Sequence, residues 1–330
     1  MQRASNMELL RIVSMLMVLC VHIDGASLGL PANTDINDLS ARDIWRYGVE
    51  SLAIIGVNCF TLISGYFKIN LRLKSIGIYL FQCVFYSVLI YTVLTPVLGH
   101  EWSWLEWGES WMVLTHTDLW YVPAYFALML LAPFINAAFD TLPRRKVIIF
   151  TGAFVIFNLW AGWYFDGSFN PTGYTVIQLV MMYMIGRCIS LCKDIIGKFK
   201  KPQFIISCFS IYVLFSVITT YYALSDWLKA YAYNAPAVMI ASVAFMMAFS
   251  AMDFRSKSVN YVAKSAFAVY LIHKSPLIWG NYLKPYVWEF WQSLSLFHFT
   301  LAAICLMLAI YAISMLIDAV RRTLSSIIFH

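Results

Sequence analysis

The chain is 330 residues long, with 61% hydrophobic and only 12% charged side chains, against about 25% charged in an ordinary soluble domain, and that balance excludes a soluble globular enzyme. Its formal net charge of +6 sits in short stretches between apolar runs, a distribution that reports membrane topology and gives no ground for a nucleic-acid partner. Seven cysteines, nearly all inside the apolar runs, read as small buried hydrophobes; their spacing supports neither a disulfide framework nor a metal site.

Runs close to the ~20 residues that a spanning helix needs recur at approximately 8–28, 48–67, 74–97, 119–139, 147–164, 173–192, 204–223, 234–252, 261–283 and 298–319. They predict an all-α, polytopic integral membrane protein of about ten transmembrane helices, with residues 1–330 as a single transmembrane domain and no separate soluble domain. If the N-terminus is cytoplasmic, Arg3, Arg11, Lys68, Arg72, Lys74, the Arg144–Lys146 cluster and most other cations fall on the cytoplasmic side. Arg42, Arg46, Lys229 and Lys284 are left outside, with Lys274 near the end of a span. That asymmetry places both termini in the cytoplasm.

The first run is not a cleavable signal, since Arg11 interrupts its apolar stretch and no small-residue cleavage site follows. Ten residues separate Arg11 from His22. Eleven steps of about 100° return a helix to within roughly 20° of its starting face, and the rise sets the two side chains about 16 Å apart. One helix face therefore carries a cation near the membrane surface and an imidazole near its middle, a pattern that points to function in a bilayer. A snorkelling arginine with a hydrogen-bonded core histidine fits the spacing too.

Further along, the connection 29–47 holds Pro31, Asn33, Asp35, Asp38 and Asp43, polar turn chemistry between spans. The connection 98–118 sets Trp102, Trp104, Trp107 and Trp111 among Glu101, Glu106, Glu109, His116 and Asp118. Such rings beside carboxylates suit a sugar, and equally an aromatic belt on a half-buried amphipathic helix. The basic stretch 193–202 suits a polyphosphate or anionic headgroups, or simply marks the cytoplasmic side. There is no Gly-rich phosphate loop, zinc-ligand spacing or Gly-x-Ser-x-Gly elbow, and no internal repeat of the kind many transporters carry.

Four motifs then follow in order: Asn6-x-Glu8-Leu-Leu-Arg11 with His22; Gly56 to Phe67, ending in Ser64-Gly65-Tyr66-Phe67; Leu119-Trp120-Tyr121-Val-Pro123; and Ser265-Ala-Phe-Ala-Val-Tyr270-Leu-Ile-His273. Together they resemble the acyltransferase-3 family of bacterial integral membrane acyltransferases, whose members O-acylate cell-surface carbohydrates. The resemblance covers essentially the whole chain and implies that the family's Arg and His in the first span are Arg11 and His22. Where many relatives carry Arg-x-x-Arg after the second span, this chain reads Lys68-Ile-Asn-Leu-Arg72-Leu-Lys74, and the C-terminal esterase-like domain that some relatives carry is not expected.

The resemblance implies an acyl-CoA-dependent O-acyltransferase of the bacterial inner membrane. Its expected donor is acetyl-CoA or another acyl-CoA, with no metal; its expected acceptor is a hydroxyl of a surface polysaccharide or its lipid-linked precursor. Membrane lipids surround it, and glycan-assembly proteins are expected partners. His22, with an ordinary pKa near ~6.5, is expected as the general base. Arg11, always charged and matched to phosphate, is expected to grip the donor with Ser64, Arg72 and Lys74. Glu8, three residues before Arg11, can fix its guanidinium. Glu8, Trp120, Tyr121 and His273 make up the expected substrate contacts, His273 reaching the depth of His22 by helical rise. Trp120 and Tyr121 suit a belt as well as an acceptor, and Ser64-Gly65-Tyr66 suits close helix packing. The rival functions are a transporter or flippase for a glycan precursor or acyl donor, and an inactive scaffold.

Overall fold

The computed structural model describes residues 4–30, 39–115, 119–165, 168–197, 201–225 and 228–329. Arg3, Pro31, Asn33, Asp35, Asp38, His116, Asp118, Lys198 and Lys200, singled out above, lie outside the described residues. Among those described there are helices and no strands. In chain order the α-helices are α1 Ser5–Val21, α2 Ala41–Ala53, α3 Gly56–Phe67, α4 Leu73–Val97, α5 Trp104–Glu109, α6 Tyr121–Thr141, α7 Arg144–Asn158, α8 Val176–Leu191, α9 Lys193–Ile196, α10 Lys201–Leu224, α11 Pro236–Ala251, α12 Lys257–Val262, α13 Ala266–His273, α14 Pro276–Ile278, α15 Lys284–Ser293 and α16 Leu296–Ile328. Among the described residues eight segments are long and apolar enough to cross a membrane, which makes the molecule an all-α polytopic membrane protein.

Three expectations take another form. The second span begins earlier, because Ser40 and Asp43 form a capping box that starts α2 at Ala41; α2 and α3 then run nearly end to end as one 27-residue segment. The sixth expected span is the 16-residue α8. The ninth is not one helix: α12, a 3₁₀ turn at Ala263–Ser265 and α13 follow one another, and Ser275-Pro276 ends the run. Proline at the start of a helix lacks only a donor that would be orphaned anyway, so Pro276 restarts a helix inside a run that the apolar pattern read as one span.

The Ala41–Phe67 and Lys229–Ala251 segments are 67% and 61% buried, against 11% for α16. Helices α1, α3 and α11 therefore form the centre, while α7, α10 and α16 turn side chains such as Phe150, Ile206 and Leu316 outward, as a lipid-facing ring requires. Small residues set the closest approaches. A Cβ on Gly65 would lie 2.1 Å from the Tyr183 carbonyl oxygen, and one on Gly186 2.3 Å from that of Leu62, so α3 and α8 meet backbone to backbone.

Polar groups tie the same elements together. Beyond α3, the Ile69 N–H donates to the Tyr183 hydroxyl and the Ile69 carbonyl accepts from Asn136. Asp140 pairs with Lys68 and with Arg187. This end of the bundle also carries Lys264 and both ends of the described chain: Ser5 bonds Ser256, and the Phe329 ring lies against Gly77. We call it the basic end.

Candidate active site

Helix α1 does not continue as an ideal α-helix. At His22–Ala26 it widens into a π-helical turn, a feature that displaces a side chain from its α-helical register and is frequent at functional sites. A second π-helical turn, Trp279–Leu283, brings the Trp279 ring edge-on to His22 at 5.6 Å between centroids. His22 is thus framed by two distorted turns.

Its ring is hydrogen-bonded to His273, with His22 Nδ1 2.8 Å from His273 Nε2. His273 is 1% exposed, and its Nδ1 lies 2.5 Å from the Val269 carbonyl oxygen. A carbonyl can only accept, so His273 Nδ1 carries hydrogen; with both rings neutral, His273 Nε2 accepts and His22 Nδ1 donates. That assignment leaves the lone pair on His22 Nε2, which has no hydrogen-bond partner among the described residues. An oriented imidazole with one bare nitrogen is what a general base requires.

His22 lines a cavity of about 290 Å³, and Arg11 lines the same cavity. The two side chains fall on one face of α1, as their spacing predicts. Arg11 Nη1 bonds Glu8 Oε2 at 2.7 Å. The guanidinium is 29% exposed and the Glu8 carboxylate 9%, so Glu8 stands behind Arg11 and fixes it without facing the cavity itself. Ser64 lines the cavity near Arg11, its hydroxyl bonded to the Phe60 carbonyl and to the Tyr125 hydroxyl. Trp120 and Tyr121 line the same cavity.

Arg72 and Lys74 are placed differently. Both are exposed at the start of α4 and neither lines the cavity. Lys264 occupies the place of a second cation at its basic end, with Tyr79, Tyr125, Tyr233 and Tyr270 on the walls. No motif singled out Lys264 or Tyr233: Lys264 directly precedes the Ser265–His273 motif, and Tyr233 directly precedes the run that starts at 234. Tyr270 stood within the Ser265–His273 motif, three residues before His273, on nearly the same helix face.

A second group of charges lies beyond the π turn. Arg46, expected as an outer-side cation, is 4% exposed and bonds Asp24 at 2.6 Å as well as the Gly29 carbonyl. Glu50 is also buried, and a Cβ on Gly25 would come within 2.9 Å of its carboxylate. Counting charges by loop could not find this cluster, because the partner of Arg46 is contributed by another helical segment.

The fold and site define an integral membrane protein whose titratable groups converge inside the helical bundle rather than in a soluble domain. The chain belongs to the acyltransferase-3 family: the model of that family's acyltransferase domain matches residues 5–319, and the protein is accordingly a membrane acyltransferase. No curated protein and no solved structure matches the chain.

Proposed function

We propose that the protein transfers an acyl group, acetyl in the first instance, from a cytoplasmic acyl-CoA to a hydroxyl of a cell-surface polysaccharide or its lipid-linked precursor, in the inner membrane of a bacterium. The observation that carries this reading is that Arg11 and His22 share one cavity, with Arg11 held by Glu8 and His22 oriented by His273. Arg11 binds donor phosphate, aided by Lys264 at the same end. The pantetheine arm then runs inward along α1, and the ~16 Å rise between the two residues brings the thioester to His22. Ser64 flanks the arm, while Arg72 and Lys74, outside the cavity, are left to attract the anionic donor over distance.

His22 Nε2 takes the proton from the acceptor hydroxyl as that oxygen attacks the thioester carbonyl. The new C–O bond forms and the C–S bond breaks. The proton on His22 passes to the departing CoA thiolate, and the base returns to its starting form. Membership of an acyltransferase family supports this enzyme over a transporter or flippase. The test is transfer of label from acetyl-CoA, and from a panel of other acyl-CoAs, to glycan in membranes bearing the protein or its His22→Ala variant at equal expression. Label with the unmutated chain alone supports the reading; label with both, or with neither in the presence of a native acceptor, overturns it.

A further inference from the structure

Three rings at the end of the cavity remote from Arg11 take no part in base or donor chemistry. Tyr233 and Trp120 line the cavity beside His22. The Tyr174 ring lies 4.7 Å from that of Tyr233 and 4.9 Å from that of Trp120, and Trp120 stacks on Tyr233 at 5.9 Å and 29°. Tyr174 is 49% exposed and Tyr233 only 4%. The rings therefore form a continuous aromatic wall from the bundle surface inward to His22.

Much buried polarity is committed to holding that wall. The carbonyl of Tyr233 accepts from both Asn58 and Gln178, and its N–H donates to the Thr172 carbonyl. Asn170 bonds Asn158 and Gln178, and Asn234 donates to the Asn170 carbonyl. All five of these amide side chains are 0% exposed, a costly arrangement at membrane depth unless each is paired. Gly173, at φ +79°, completes the contact: a Cβ there would meet Asn234 N and Tyr233 Cβ at 2.8 Å. The network fixes a non-helical segment whose one cavity-lining side chain is the Tyr233 ring.

We infer that the Trp120–Tyr174–Tyr233 wall is the acceptor subsite and that it takes a pyranose ring. The sugar stacks by its apolar face and presents one hydroxyl to His22 Nε2. The inference rests on the acyltransferase reading above. The wall combines ring faces for stacking with polar edges for hydroxyls, which the phenols of the adjacent Tyr174 and Tyr233 rings supply. An acyl chain would match the faces and strand these polar groups; a pyranose satisfies both.

The test is saturation-transfer NMR on the full chain in detergent, with methyl β-glucopyranoside as probe. Protons of one sugar face are expected to take up saturation from the unmutated protein. The signal is expected to fall by about 5-fold in Tyr174→Leu, which removes a ring from the wall, and in Gly173→Ala, which displaces Tyr233. Tyr174→Phe, which keeps the ring, should retain most of it and so separates stacking from misfolding. No saturation from the unmutated chain, or undiminished saturation in Tyr174→Leu, overturns the subsite. Failure of the parent reading looks different: the sugar saturates normally, yet no acyl-CoA gives label to any hydroxyl.

Discussion

His22 has one hydrogen bond to spare and His273 has none, and this difference separates their roles. Replacing His22 by alanine removes the proposed proton acceptor and should lower turnover by about 10²–10⁴-fold while the protein still inserts, as measured by transfer rate at matched expression. His273→Ala leaves the His22 Nδ1–H without its partner and frees the ring to adopt either tautomer. It should cut kcat by about 10-fold or more with little change in donor KM, and His273→Gln, which still offers an acceptor, should recover part of the loss. A KM change without a kcat change would instead make His273 a packing residue. Transfer should also decline as pH falls through the titration of His22, because an imidazolium has no lone pair to give. Arg11→Lys keeps the charge but loses the planar fork held by Glu8, so the expected result is a donor KM raised by about 10-fold. The Arg11–His22 relation was legible from the sequence because both residues lie on one uninterrupted periodic element. The hydrogen bond between His22 and His273 was not: they are 251 positions apart, and helical rise could match their depths without showing that the two helices touch.

At the level of elements, small residues and caps decide how closely the helices approach. Gly65→Ala places a methyl group where the Tyr183 carbonyl already stands, so α3 and α8 must separate; a loss of about 1–3 kcal/mol is expected, read as a lower melting temperature in detergent. Gly152→Ala, with nothing within 4 Å of the new Cβ, should leave melting unchanged or raise it slightly. If the two variants melt alike, the backbone contact is not what holds α3 to α8. Apolar runs and their boundaries were readable to within a few residues for most helices, since hydropathy records what lipid and core select. It does not record a break in the hydrogen-bond ladder, and so the 261–283 region, which changes helix type three times, looked like one span.

For the molecule as a whole, the cavity joins groups at the basic end to groups at the opposite end through a single bundle. The Arg46–Asp24 pair is buried on the far side of the His22 turn. Arg46→Met would leave the Asp24 carboxylate buried without its partner; a cost of about 3–5 kcal/mol is expected, seen as reduced folded protein in membranes. Charge counting gave the expected orientation from loops such as 143–146, and it treated Arg46 as one more loop cation because a partner contributed by another helix is invisible to it. Tyr233 escaped notice for the same reason, being anchored by Asn58, Asn158, Asn170 and Gln178, drawn from three helices and a connection. That anchoring imposes an order on biogenesis. The segment around Tyr233 leaves the ribosome after all of its amide partners from α3, α7 and α8, so those helices can already be in the membrane when it arrives to be clamped. His273 emerges about forty residues later still. On the proposed reading, a nascent chain can therefore complete its sugar-facing wall before His273 arrives to orient the proposed base.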